Sequence, residues 1–192
     1  MRQTAGPVPD GGGLPGLTEL PETVTIGVSI SVPDPYGTEI QDARAAHGDP
    51  RARSIPTHVT LLPPTEVPAA LLPEIEAHLL AVAAVHRPFP MLLQGSGTFR
   101  PVSPVVFVRV EGGAQECRAL EAAVRSGPLA RELAFPYHPH VTVAHDLAED
   151  VLDEAYEKAR GFSAEFTVPG FGLSRFGPDE VWRPWRGYPF GG

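Results

Sequence analysis

The chain has 192 residues and a formal charge of −8, with 14 arginines beside a single lysine, Lys158. So acidic a balance does not suit extended duplex binding, which depends on neutralising many phosphates, although it leaves room for a pocket that holds one phosphate or a strand end. The lone Cys117 excludes an internal disulfide and a cysteine-built zinc cage.

Residues 1–21 are rich in glycine, proline and polar side chains and read as a disordered leader. They lack the basic start and apolar centre of a secretory signal, and no apolar run approaches a membrane-spanning length, so the expected location is cytoplasmic, away from membranes. Residues 22–192 are expected to form one domain. It opens with a half-buried strand, in which Val24, Ile26, Val28, Ile30 and Val32 alternate with small polar residues. A short helix from Tyr36 to about His47 follows, ended by Gly48. The next strand is expected over about Thr57–Leu62, stopping at Pro63-Pro64. Leu72, Ile75, Leu79 and Val82 then recur at helical spacing within about 68–85. Met91–Gln94 and Val105–Val110 read as strands, and Cys117, Leu120 and Val124 mark a helix. A strand at about His140–Ala144 precedes a helix over Glu149–Arg160, closed by Gly161. Ser163–Val168 and Val181–Trp185 read as the last strands, with Leu173–Phe176 between them.

The unit of strand, helix, strand, helix, strand thus occurs twice. Its middle strands carry near-identical tripeptides, His58-Val59-Thr60 and His140-Val141-Thr142, 82 residues apart. In an extended strand the side chains alternate faces, so each histidine and its threonine project together while the valine is tucked behind. The pattern implies an α+β fold of two pseudo-symmetric lobes, each sending one motif strand to a central cleft. Two imidazoles and two hydroxyls there suffice for in-line attack on a phosphodiester.

His58-Val59-Thr60-Leu61-Leu62-Pro63 and Pro139-His140-Val141-Thr142-Val143-Ala144 resemble the paired signatures of the two-histidine (2H) phosphoesterase superfamily, and within it the 2′-5′ RNA ligase and RNA 2′,3′-cyclic phosphodiesterase group. The resemblance covers about residues 22–190. It implies mixed or antiparallel sheets with outer helices around a cleft, and cleavage of cyclic phosphates or 2′-5′ linkages, which run backwards is ligation, without metal or other cofactor. The substrate would be a nucleotide or an RNA terminus. Two positions depart from the family pattern. Pro63 stands where members often carry an aromatic or aliphatic residue, and His145 stands where many carry arginine or lysine.

In such chemistry one histidine activates water and the other protonates the leaving oxygen, roles open to imidazoles near neutral pH. The hydroxyls of Thr60 and Thr142 would bind the phosphate oxygens. Tyr137, with Phe135, is a candidate base-stacking residue. His145, of opposite strand parity to His140, is expected to reach the cleft only where the strand has ended. His138 is expected at the rim or in a structural role, and Arg100 and Arg109 are candidate sources of positive charge. Three alternatives use the same features: a non-catalytic nucleotide- or phosphate-binding module, a purely structural domain, and a metal site built from these histidines. Threonines are poor metal ligands, and no acidic residue adjoins either motif.

Overall fold

The computed structural model describes residues 22–191, so the leader expected over 1–21 lies outside the described residues. The elements in order are β1 (Thr23–Ser31), α1 (Tyr36–Ala46), β2 (His58–Pro68), α2 (Leu72–Val85), β3 (Phe89–Thr98), β4 (Val105–Gly112), α3 (Ala114–Val124), β5 (His140–His145), α4 (Glu149–Ala159), β6 (Ser163–Val168), β7 (Gly170–Phe176) and β8 (Trp182–Pro189). They build two four-stranded antiparallel sheets, ordered β2-β1-β7-β8 and β5-β4-β3-β6.

The alternating β1 shows how a sheet acquires two faces. Ile26, Val28 and Ile30 are at most 1% exposed, whereas Gly27 and Ser29 on the other face are half-buried. Full burial of such aliphatic side chains stabilises the fold by about 1.5–3 kcal/mol each. Helices cover the apolar faces. α2 and α3 lie against β8 and β2 of the first sheet, and α1 and α4 against the second. Helix α2 turns Leu72, Ile75, Leu79 and Val82 inward, as their spacing requires.

The sequence repeat and the sheets do not coincide. The last strand of the first repeat, β3, joins the second sheet, and the chain returns at its end to complete the first sheet with β7 and β8. Each lobe is therefore assembled from both halves of the chain.

Two element bounds differ for physical reasons. β2 does not stop at Pro63-Pro64 but runs to Pro68. It is an edge strand, and the two prolines oppose the single residue Gly27 in a bulge between the Leu62–Val28 and Thr65–Ile26 pairs. Edges and bulges are where a sheet tolerates residues that cannot donate to the ladder. β3 is likewise longer than Met91–Gln94, passing through Gly95 and Gly97 with a bulge between Leu93 and Ser96. The segment Leu173–Phe176 is itself part of strand β7.

Candidate functional site

The motif strands β2 and β5 are the edges of their sheets, and they approach one another along the seam between the lobes. Their local geometry is duplicated in detail. In the first lobe His58, Val59 and Thr60 pair with Ser31, Ile30 and Ser29 of β1. In the second, His140, Val141 and Thr142 pair with Arg109, Val108 and Phe107 of β4. Directly after each threonine comes one extra residue, Leu61 in β2 and Val143 in β5, before the ladder resumes at Leu62–Val28 and Ala144–Val106. Both strands show the same burial sequence from the histidine onward, with histidine and threonine half-buried and the valine, the bulge residue and its successor buried.

The imidazoles are locked in the same way. His58 Nδ1 lies 2.6 Å from the carbonyl oxygen of Pro56, and His140 Nδ1 lies 2.8 Å from that of His138. A carbonyl only accepts, so each Nδ1 carries the proton and donates, and each Nε2 is turned the other way. Neither Nε2 has a protein partner among the described residues, nor do the hydroxyls of Thr60 and Thr142. Burial pulls both imidazoles below their ordinary value of 6.5, against the opposing pull of the accepting carbonyl. Nearby Arg44 lowers His58 further, while His138, His58 and His145 lower His140, so the two rings feel one another's charge.

A cleft of about 350 Å³ runs along the seam, lined by His58, Thr60 and Thr142 together with His145. His140 is not among the residues that line it; its ring packs edge-on to Phe99 at 4.9 Å and against Phe107 at 5.2 Å. His145 belongs to the cleft although β5 has not ended. The extra residue Val143 shifts the alternation by one, which returns His145 to the face of Thr142 and reverses the parity expected from sequence. Its Nε2 lies 3.3 Å from Asp146.

Tyr137 does not line the cleft. Its ring packs against the core, its hydroxyl donates to the Thr60 carbonyl at 2.9 Å, and burial drives its pKa upward. It braces the loop before β5 against the first motif strand. Tyr137→Phe is expected to cost about 1–2 kcal/mol in urea unfolding, because a half-buried carbonyl loses its donor. The His138 ring packs on Phe99 and Phe107, and its carbonyl accepts from His140 Nδ1. Arg100 is engaged by Glu149 at 2.7 Å and Asp153 at 2.9 Å, and Arg109 by Glu111 at 2.9 Å.

Several cleft residues carry no sequence signal. Arg44 and Asp49 form a buried pair, with Nε and Nη2 reaching one carboxylate oxygen at 3.1 and 2.7 Å. Gly48, at φ +80°, closes α1 in a Schellman turn, with Gly48 N–H on the Ala45 carbonyl and Asp49 N–H on that of Arg44. The turn delivers Asp49 beneath the loop that ends in Pro56. Arg51, exposed at the cleft mouth, has no ion-pair partner among the described residues. Among those residues, no three His, Cys, Asp or Glu side chains are grouped to hold a metal ion. No helix among them is long and apolar enough to cross a membrane.

A sequence model of the 2′-5′ RNA ligase superfamily matches residues 32–180, a span containing both motif strands. The chain belongs to this superfamily. Membership places it among phosphoesterases of the two-histidine kind. Relatives named "putative phosphoesterase" come from Oceanobacillus iheyensis, 28% identical over 74% of this chain and 85% of its own length, and Bacillus cytotoxicus, 30% identical over 70% and 78%. Escherichia coli LigT bound to 3′-AMP superposes with a TM-score of 0.61 at 20% identity, covering 89% of this chain and all of LigT. The NADP+ complex of LigT gives 0.63 at 21% identity, with the same coverage. These superpositions show the shared 2′-5′ RNA ligase-like fold.

Proposed function

We propose that this superfamily member is a metal-independent phosphodiesterase that hydrolyses 2′,3′-cyclic phosphates or 2′-5′ linkages of nucleotides or RNA ends. His58 and His140 are its acid–base pair, and Thr60 and Thr142 hold the phosphate oxygens. The supporting observation is the duplication of the site: two imidazoles fixed in one tautomer by the same backbone contact, each two residues before an unpartnered hydroxyl. An Nδ1-protonated ring offers its Nε2 as base when neutral and as acid when protonated. One of each satisfies in-line displacement. Water loses a proton to the neutral ring as it attacks phosphorus, the P–O bond on the opposite side breaks, and the departing ribose oxygen takes a proton from the charged ring. The threonine hydroxyls donate to the non-bridging oxygens, where charge is redistributed in the transition state. Arg51, exposed at the mouth, adds positive charge to the cleft. LigT, whose fold the chain shares, binds 3′-AMP and ATP, which agrees with a nucleotide-sized substrate.

Assay of 2′,3′-cyclic mononucleotides and a 2′-5′ dinucleotide with EDTA present tests the reading. Turnover unaffected by the chelator is expected, and loss of activity on chelation would overturn it. The kcat/KM profile is expected to be bell-shaped, with limbs belonging to the coupled pair and not to either ring alone. Double protonation removes the base at low pH, and double deprotonation removes the acid at high pH. Because burial lowers both rings, the maximum is expected on the acid side of 6.5. A profile without an acid limb would exclude a histidine as the base.

A further inference from the structure

The two halves of the site match in backbone and motif but not in what flanks them. Beside His58 and Thr60 the neighbouring strand places Ser31 and Ser29, whereas beside His140 and Thr142 it places Arg109 and Phe107. The Phe107 ring lies over Gly97 of β3, where an added Cβ would come within 2.4 Å of it, and it packs on Phe99 with centroids 4.4 Å apart. The second sheet thus packs aromatic side chains beside His140 and Thr142. The first sheet leaves its side bare. The row that begins at Thr60 continues through Ser29, Gly172 and Gly187, and the next row holds Gly27, Ser174 and Pro184. At the far end lies the indole of Trp182, whose six-membered ring would sit 3.1 Å from a Cβ on Gly27. Apart from Thr142 and His145, every described residue lining the cleft comes from the first sheet, from Arg44 of α1 or from the connection between α1 and β2.

We infer that the cleft is one-sided: a single planar base attached to the phosphate is received over β1 and β7 against Trp182, and the matching space beside Thr142 is closed by Phe107. This rests on the phosphodiesterase reading and narrows it to substrates carrying a nucleoside on one side of the phosphate, that is, nucleoside 2′,3′-cyclic phosphates. A 2′-5′ linkage has a nucleoside on each side and finds one subsite where it needs two. Orientation follows as well. With the nucleoside over the first sheet, the pseudo-symmetric histidines cease to be interchangeable, because the substrate enters in one direction only. A residue acting in this way sets specificity by stacking and takes no part in proton transfer.

The test compares adenosine 2′,3′-cyclic phosphate with glycerol 1,2-cyclic phosphate, which has the ring phosphate and no base. Stacking on an aromatic side chain corresponds to about a 5- to 150-fold change in binding per base. Trp182→Leu is therefore expected to raise KM for the adenosine compound by about that factor with kcat little changed, to leave the glycerol compound unaffected, and to be partly rescued by Trp182→Phe. Ser29→Phe, which puts on the first sheet the ring that the second sheet carries, is expected to exclude the adenosine compound selectively. Equal KM values for the two compounds, insensitive to Trp182, would overturn the inference while leaving the phosphodiesterase reading intact. Turnover of neither compound by the unaltered protein would overturn that reading instead. The subsite is then decided by titrating Trp182 fluorescence with 3′-AMP in a Trp185→Phe background, which needs neither turnover nor the Trp182→Leu protein to fold. Quenching supports the stacking site, and its absence overturns it.

Discussion

Alanine at His58 or at His140 is expected to lower the rate of cyclic-phosphate hydrolysis by about 10²–10⁴-fold each, the usual worth of a positioned acid or base. The two losses should not multiply. Both rings act in one displacement, and once either is gone the other has lost much of its use, so the double variant should fall only modestly below the worse single one. Full activity in the double variant would refute the assignment outright. Folding should survive, because both side chains are only half-buried. An unchanged urea midpoint in each single variant therefore separates lost chemistry from lost structure. Valine at Thr60 should cost less, at most about 2–4 kcal/mol of transition-state stabilisation, the range for removing one oxyanion donor.

The largest loss of stability from a single polar residue is expected at Asp49. Its side chain is 3% exposed and that of Arg44 is 5% exposed, so Asp49→Ala leaves a buried guanidinium without its counter-charge. Breaking such a pair from one side typically costs about 3–5 kcal/mol. For a domain of this size that corresponds to a fall of roughly 6–20 °C in Tm. Replacing both partners together, as in Arg44→Met with Asp49→Leu, is expected to restore most of the loss, since the penalty is that of an orphaned charge. Activity should remain low in the double replacement. Asp49 also accepts the Arg51 backbone N–H at 2.9 Å, and so holds the loop that leads to Pro56, the carbonyl that orients His58. Urea midpoints read beside kcat would separate the two effects. A destabilisation below 1 kcal/mol would mean that the open cleft lets water reach the arginine.

The two motif strands and their inward-facing pairs were legible because a period of two needs only local sequence. Where a strand sits in its sheet is not local information. Pro63-Pro64 reads as a terminator until β2 is known to be an edge strand with a bulge opposite Gly27. The parity of His145 follows from an extra residue, Val143, that becomes visible only against the register of β4. The apolar alternation of Phe89, Met91 and Leu93 is compatible with either sheet, so the crossing of β3 into the second lobe could not be read from it. Trp182 is the strongest case. Its neighbours in sequence say nothing of Gly27, which it meets only because β7 lies between their two strands.

That interlaced path bears on how the molecule comes apart. Cut between the repeats, near residue 100, the amino-terminal fragment would keep only β1 and β2 of the first sheet, and a two-stranded ribbon is at best marginally stable in water. The carboxy-terminal fragment would lose the strand that bridges β4 and β6. Neither repeat is an autonomous folding unit despite the symmetry of the product. Denaturation should accordingly be all-or-none, with probes in the two lobes reporting one midpoint. The cleft is then not a joint between two bodies free to swing, and its width is fixed by the same backbone that closes both sheets.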